Sequence, residues 1–246
     1  MGAEQSQETI IRQERDILQI ALIICLLWGA IYVLGSVLLL QDRGRLIFLG
    51  EIIQLMAGAF FAILLIQIYR KWKGTNALLG TSLALFSWTA GQLFWFSYTL
   101  LSHTELPYPS VGDLGYTGTY ILLIGVIGLL SGKKPRTAPD YLPLLLVFLP
   151  LALYLLGQRA LPVLLYNIVD GISIAWTLFS LMPLRRSPRF RRFIQGVILL
   201  AATDVLFLFS ALLIPEMAAL ISAPLYPLAI ALIAMGIVSG EQVEHG

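Results

Sequence analysis

Charge is what this chain has least of. Only 12% of its 246 residues are Asp, Glu, Lys or Arg, against about 25% in an ordinary soluble domain, while 58% are hydrophobic. A water-soluble fold of this composition would lack the polar surface to cover its core, so hydrocarbon has to solvate much of the chain. Cysteine is almost missing too. Cys25 stands alone, which excludes an intrachain disulfide and any CxxC redox or metal motif; a thiol in an apolar helix packs as a small hydrophobe. The two histidines, His103 and His245, fall in a predicted loop and in the tail. A histidine-ligated haem or di-metal centre within the membrane is therefore not expected, and no cofactor is assigned. No lysine lies in any predicted span, so a retinal Schiff base has no attachment point. A phosphate-cradling G-x-x-x-x-G-K-[ST] is absent as well. The net charge of +2 gives no reason to expect nucleic acid as a partner.

What is present is a succession of apolar runs, each long enough to cross about 30 Å of hydrocarbon at roughly 1.5 Å per residue. Hydropathy and its breaks predict spans over residues 17–40, 46–69, 77–102, 111–131, 141–157, 160–184, 193–214 and 217–239. The expectation is an all-α membrane protein, a bundle of about eight transmembrane helices. The first sixteen residues, with Glu4, Glu8, Arg12, Glu14, Arg15 and Asp16, are too polar and acidic for a signal peptide. They read as a cytoplasmic juxtamembrane segment, 1–16, ahead of a polytopic domain, 17–240, and a short tail, 241–246.

Orientation follows from basic residues, which are retained on the cytoplasmic side during insertion. Thirteen of the sixteen Lys and Arg fall in one set of alternate loops; Arg43, Arg45 and Arg159 are the three in the other. Both termini are thus expected in the cytoplasm of a prokaryotic cell with the chain in its inner membrane. The densest cluster, RRSPRFRR at 185–192, is accounted for by this retention, with an anionic-lipid or partner patch as the alternative.

An acid in the middle of a spanning helix costs about 2.5 to 3.5 kcal/mol on insertion scales and so calls for a reason. Asp170 shares a helical face with Tyr166, Asn167, Ser173 and Thr177, and Asp204 interrupts a run of Val, Leu and Phe. Glu51 with Gln54 and Gly58 makes a shallower stripe; Trp88, Gln92, Trp95 and Thr99 make another on the third span. Small residues at Gly80, Ala84, Ser87 and Gly91, facing Gly115, Gly118, Gly125 and Gly128, predict a tight hairpin of the third and fourth spans. Together these faces suggest a polar pocket in the outer half of the bundle, with Glu51, Trp88, Gln92, Trp95, Asp113, Tyr116, Tyr166, Asn167, Asp170 and Asp204 as its candidates. The bland alternative is that these groups satisfy one another between helices. Asp113, three residues after Ser110, also has the spacing of a helix-capping pair.

Residues 87–130 resemble the multi-pass membrane region that precedes cyclic-di-GMP cyclase, phosphodiesterase or histidine kinase domains in bacterial signalling proteins. Trp88, Gly91, Trp95 and Tyr98 match its W, G and W-x-x-Y pattern. Pro109, Ser110 and Asp113 match its P-S-x-A-D, with Gly112 in place of Ala. Tyr166 with Asp170, and Asp204, are similar to later conserved-type positions of that region. The resemblance implies a sensory input module. Such regions are followed by an output domain, so the expected partner is a cytoplasmic or membrane signalling protein, or an output domain beyond residue 246.

The function expected is therefore a non-enzymatic membrane sensor or ligand-binding module. One alternative is a lipid hydrolase resembling lysoplasmalogenase-type bundles, with Asp170 and Asp204 as an acid and base pair. A small transporter or proton pathway is another, since buried carboxylates also serve relays.

Overall fold

A computed structural model of the chain describes residues 2–38, 43–72, 75–102, 110–132, 160–213 and 222–245. Every element among them is helical: α1 (Gly2–Leu38), α2 (Arg43–Trp72), α3 (Asn76–Ser102), α4 (Gly112–Leu130), α5 (Ala160–Ser180), a 3-10 turn at Pro188–Phe190, α6 (Arg191–Leu213) and α7 (Leu225–His245). Seven of the eight predicted spans fall wholly or partly on these helices; the run at 141–157 lies outside the described residues. Among those residues, three segments are long and apolar enough to cross a membrane: Leu46–Lys71, Asn76–Leu101 and Gly112–Leu130. Shorter apolar stretches occupy Gln19–Gly35 and Leu225–Gly240. Helix also extends beyond the apolar runs, back to Gly2 in α1 and on to His245 in α7, so the polar ends expected at 1–16 and 241–246 continue their neighbouring helices.

Helix α7 is the hub. It packs against α6, α1, α2 and α3, and residues from Ala229 to Val238 other than the half-buried Leu232, including Ile230, Ile233, Ala234 and Ile237, are buried, the mark of a helix apolar nearly all round. It begins beside Pro224 and tolerates Pro227 because the first turn of a helix has amide groups with no intrahelical acceptor. The core continues through Phe61, Leu65 and Ile68 of α2, Leu78 and Leu85 of α3, Leu123 and Ile127 of α4, and Phe193 and Leu200 of α6. On α1 the apolar residues Ile20, Ile24, Leu27, Ile31 and Leu34 are more than half exposed, at helical spacings that form one stripe. Such an apolar band on a helix exterior is a surface for lipid or for another helix.

The most extensive helix contact is between α3 and α4, the hairpin expected from the small residues. A Cβ on Gly115 would lie 2.5 Å from both the Gly91 nitrogen and the Ser87 carbonyl oxygen, and one on Gly118 would lie 2.5 Å from Ser87 Oγ. Two side-chain bonds close the crossing: Ser87 Oγ donates to Gly115 O at 2.9 Å, and Thr119 Oγ1 to Ala84 O at 3.2 Å. Gly125 and Gly128, at the same spacing, meet nothing within 4 Å. Backbone-to-backbone approach thus falls in the half of the hairpin near the α3–α4 connection; farther along, a Cβ on Gly80 would meet the Val126 side chain at 2.9 Å, and at Gly132 a φ of +66° ends α4 in the left-handed conformation glycine adopts without strain. Ser82 Oγ ties α3 to α2 through Ala62 O at 2.7 Å.

Candidate functional site

The acids predicted from their insertion cost come together. Asp204 of α6 accepts hydrogen bonds from two phenols on different helices, Tyr120 of α4 at Oδ2 and Tyr226 of α7 at Oδ1, the latter at 2.5 Å. Asp170 of α5, 8% exposed, lies within electrostatic range of both Asp204 and Asp113. Among the described residues its carboxylate accepts no hydrogen bond. Tyr116 is the meeting point: it lies within electrostatic range of Asp113, Asp204 and Glu51, and its hydroxyl donates to Gln92 Oε1 at 2.9 Å. Hydroxyls, rather than lysine or arginine, answer the charge here, which suits a low-dielectric site where an isolated ion pair brings a large desolvation cost.

Trp88 of α3 is only 2% exposed. Its ring lies between Tyr226, at 5.5 Å between centroids, and Tyr116, at 6.1 Å and nearly edge-on. The indole Nε1–H is buried with no acceptor among the described residues, a departure from the rule that buried donors are matched. Glu51 and Gln54 of α2 are buried, and Glu51 also lies within range of Tyr32 of α1.

Asp113 serves two purposes at once. Its carboxylate accepts the Ser110 backbone N–H, and Ser110 Oγ lies 3.0 Å from the same oxygen. This is half of a capping box: the acid reaches back, while the serine hydroxyl turns to the carboxylate instead of the Asp113 amide. Tyr166 of α5 hydrogen-bonds the same carboxylate, so the cap doubles as a link between α4 and α5.

One expectation comes out differently. Trp95 is half-buried one turn beyond Gln92, and among the described residues no ring or hydrogen-bond contact joins its side chain to the cluster. Ser173 and Thr177 are fully buried as their face predicts; their hydroxyls donate to Val169 O and Ser173 O on their own helix, at 2.9 and 2.8 Å, and Thr177 Oγ1 also lies 3.5 Å from Tyr120 O of α4. They leave the acids of neighbouring helices unanswered. Asn167 is partly exposed beside Tyr166.

Tyr120 and Tyr226, which sequence reasoning passed over, hold the acid nearest the hub. The one signal for Tyr120 was its position four residues after Tyr116, seven after Asp113, on the same face of α4. Nothing in the local sequence distinguishes Tyr226.

No family model, curated protein or solved structure matches this chain.

Proposed function

We propose that the chain is a membrane-embedded sensory or ligand-binding module of a signalling system, a bundle of about eight spans in a prokaryotic inner membrane with both termini in the cytoplasm. The observation that carries this reading is the incomplete matching inside the cluster: the buried indole donor of Trp88 has no acceptor among the described residues, while its ring packs against Tyr116 and Tyr226, the latter bonded to Asp204. A purely structural polar network is favourable when fully satisfied, and a half-satisfied one is costly. A small polar ligand offering both a donor and an acceptor would complete it. By bridging α3 and α5 such a ligand biases the packing of the bundle, to the extent that it binds one packing better than the other. The altered cytoplasmic loops are then read by a signalling partner. The apolar exterior of α1 and the alternation of basic loops support the span count and the orientation.

The test is native mass spectrometry of gently extracted wild type, Asp170→Asn and Trp88→Phe. A non-lipid mass retained by the wild type and lost from both variants is the expected result. Equal spectra for all three, with all three folded, would refute a ligand at this cluster.

The hydrolase reading gains one support, the proximity of Asp170 to Asp204. Against it, both oxygens of Asp204 are already engaged by phenols. Hydrolysis of vinyl-ether lysolipids by purified protein, abolished in Asp204→Asn, would place it ahead of the sensor.

A further inference from the structure

The arginine-rich connection between α5 and α6 divides into two parts. Arg189 is engaged within the fold: its Nε donates to Gly240 O at the end of α7, and its guanidinium carbon lies 4.8 Å from the centre of the Phe190 ring. Arg185, Arg186 and Arg191 instead line a single groove of about 550 Å³ together with Ser187, Ile194 and Gln195. No acidic residue lines it. All three arginines are exposed at its walls, and Arg185 Nη1 is steadied at 3.8 Å from Met182 Sδ. Ser187 stands at the N-terminal cap of the 3-10 turn without making the cap's side-chain bond, so its hydroxyl is available. Helix α6, 23 residues long, starts at Arg191, whose backbone N–H is donated to Pro188 O, so side chains form the polar wall.

We propose that this groove binds the phosphate of an anionic phospholipid headgroup. Guanidinium groups match phosphate oxygens in paired hydrogen bonds, and three of them converge on this one groove. A free phosphate would meet the same arginines, but the walls below favour a lipid. From Arg191 the same face of α6 runs through Ile194 to Ile198, Ala202 and Val205, and on the α5 side Phe179 and Met182 are 72% and 52% exposed. The charged groove therefore opens onto an apolar strip where an acyl chain can lie. The inference rests on the reading of α5 and α6 as spans; it is independent of the acid cluster.

Neighbouring arginines provide the test. Arg191 lines the groove and Arg192, also exposed, does not, so Arg191→Gln and Arg192→Gln remove the same charge from the same turn. Each protein is placed in nanodiscs of phosphatidylcholine alone or of phosphatidylcholine with phosphatidylglycerol, released, and its retained lipid counted by native mass spectrometry; a parallel arm adds inorganic phosphate. Retention of phosphatidylglycerol should fall about five-fold in Arg191→Gln and about a hundred-fold in the Arg185, Arg186 and Arg191 triple Gln variant. Arg192→Gln should stay near wild type. If Arg191→Gln fails to fold, Arg185→Gln takes its place in the comparison. Equal losses in Arg191→Gln and Arg192→Gln would mean bulk charge alone and would overturn the proposal, as would displacement of the lipid by inorganic phosphate at comparable concentration. Failure to enter any nanodisc would overturn the membrane reading as well, whereas insertion with equal retention of both lipids would overturn the groove only.

Discussion

The crossing of α3 and α4 makes a quantitative statement about Gly115. Adding one methyl group there brings a Cβ to 2.5 Å from the Gly91 nitrogen, 2.5 Å from Ser87 O and 2.6 Å from Gly91 Cα. All three are backbone atoms, so no side-chain rotation relieves the clash and the helices themselves must part. Overpacking of this kind costs about 1 to 3 kcal/mol. Separation also lengthens the Ser87 to Gly115 and Thr119 to Ala84 bonds, each worth about 0.6 kcal/mol between membrane helices. Gly115→Ala should therefore lose roughly 2 to 4 kcal/mol. Gly128→Ala, where the added carbon meets nothing within 4 Å, should be neutral or slightly stabilising, since alanine is the better helix former by about 1 kcal/mol. Reversible denaturant unfolding of both variants in one detergent, followed by circular dichroism, supplies the comparison. Equal midpoints for the two variants would refute the close approach of these backbones.

Removing the phenol hydroxyls should also be legible. Tyr120→Phe and Tyr226→Phe each take one donor from Asp204 and should cost about 0.6 to 1.7 kcal/mol, with the double variant departing from additivity because both act on one carboxylate; a double-mutant cycle on unfolding free energy checks this. Ser82→Ala deletes the bond from α3 to α2 and should cost about 0.6 kcal/mol, read from the same unfolding curves. Gly132→Ala places a side chain at φ of +66° and should cost about 1 kcal/mol, whereas Gly125→Ala should not.

The helices were legible because hydrocarbon imposes a length on any run that crosses it, and the runs at 46–69, 77–102 and 111–131 fall within α2, α3 and α4 to within a few residues. The start of the last span, placed at Met217, lies outside the described residues; from Leu225 on, directly after Pro224, the run forms α7. Within the cluster, Asp170 and Asp204 could be picked out by the cost of inserting them, and Asp113 by its spacing from Ser110 and the P-S-x-A-D resemblance. Their partners could not. Tyrosine enters a membrane helix at little cost, so Tyr120 and Tyr226 left no mark until the helices were brought together. Trp95 was selected by periodicity along α3, which fixes a face but not the depth at which a neighbouring helix covers it. The same gap explains Gly125 and Gly128: spacing announces that a helix can approach closely, while the crossing point decides where it does.

Helix α7 is held at both ends by polar contacts to other parts of the chain, Tyr226 to Asp204 and Gly240 to Arg189, with about 21 Å of helix between them. Midway, Gly236 rests against the main chain of Phe193 with no room for a side chain. An axle seated in two bearings and gripped at its centre cannot slide by a fraction of a turn. Whatever rearrangement moves α7 along α6 must break the Tyr226 contact and lift Gly236 from Phe193, so the two helices are coupled, and Tyr120 bonded to Asp204 extends that coupling to α4.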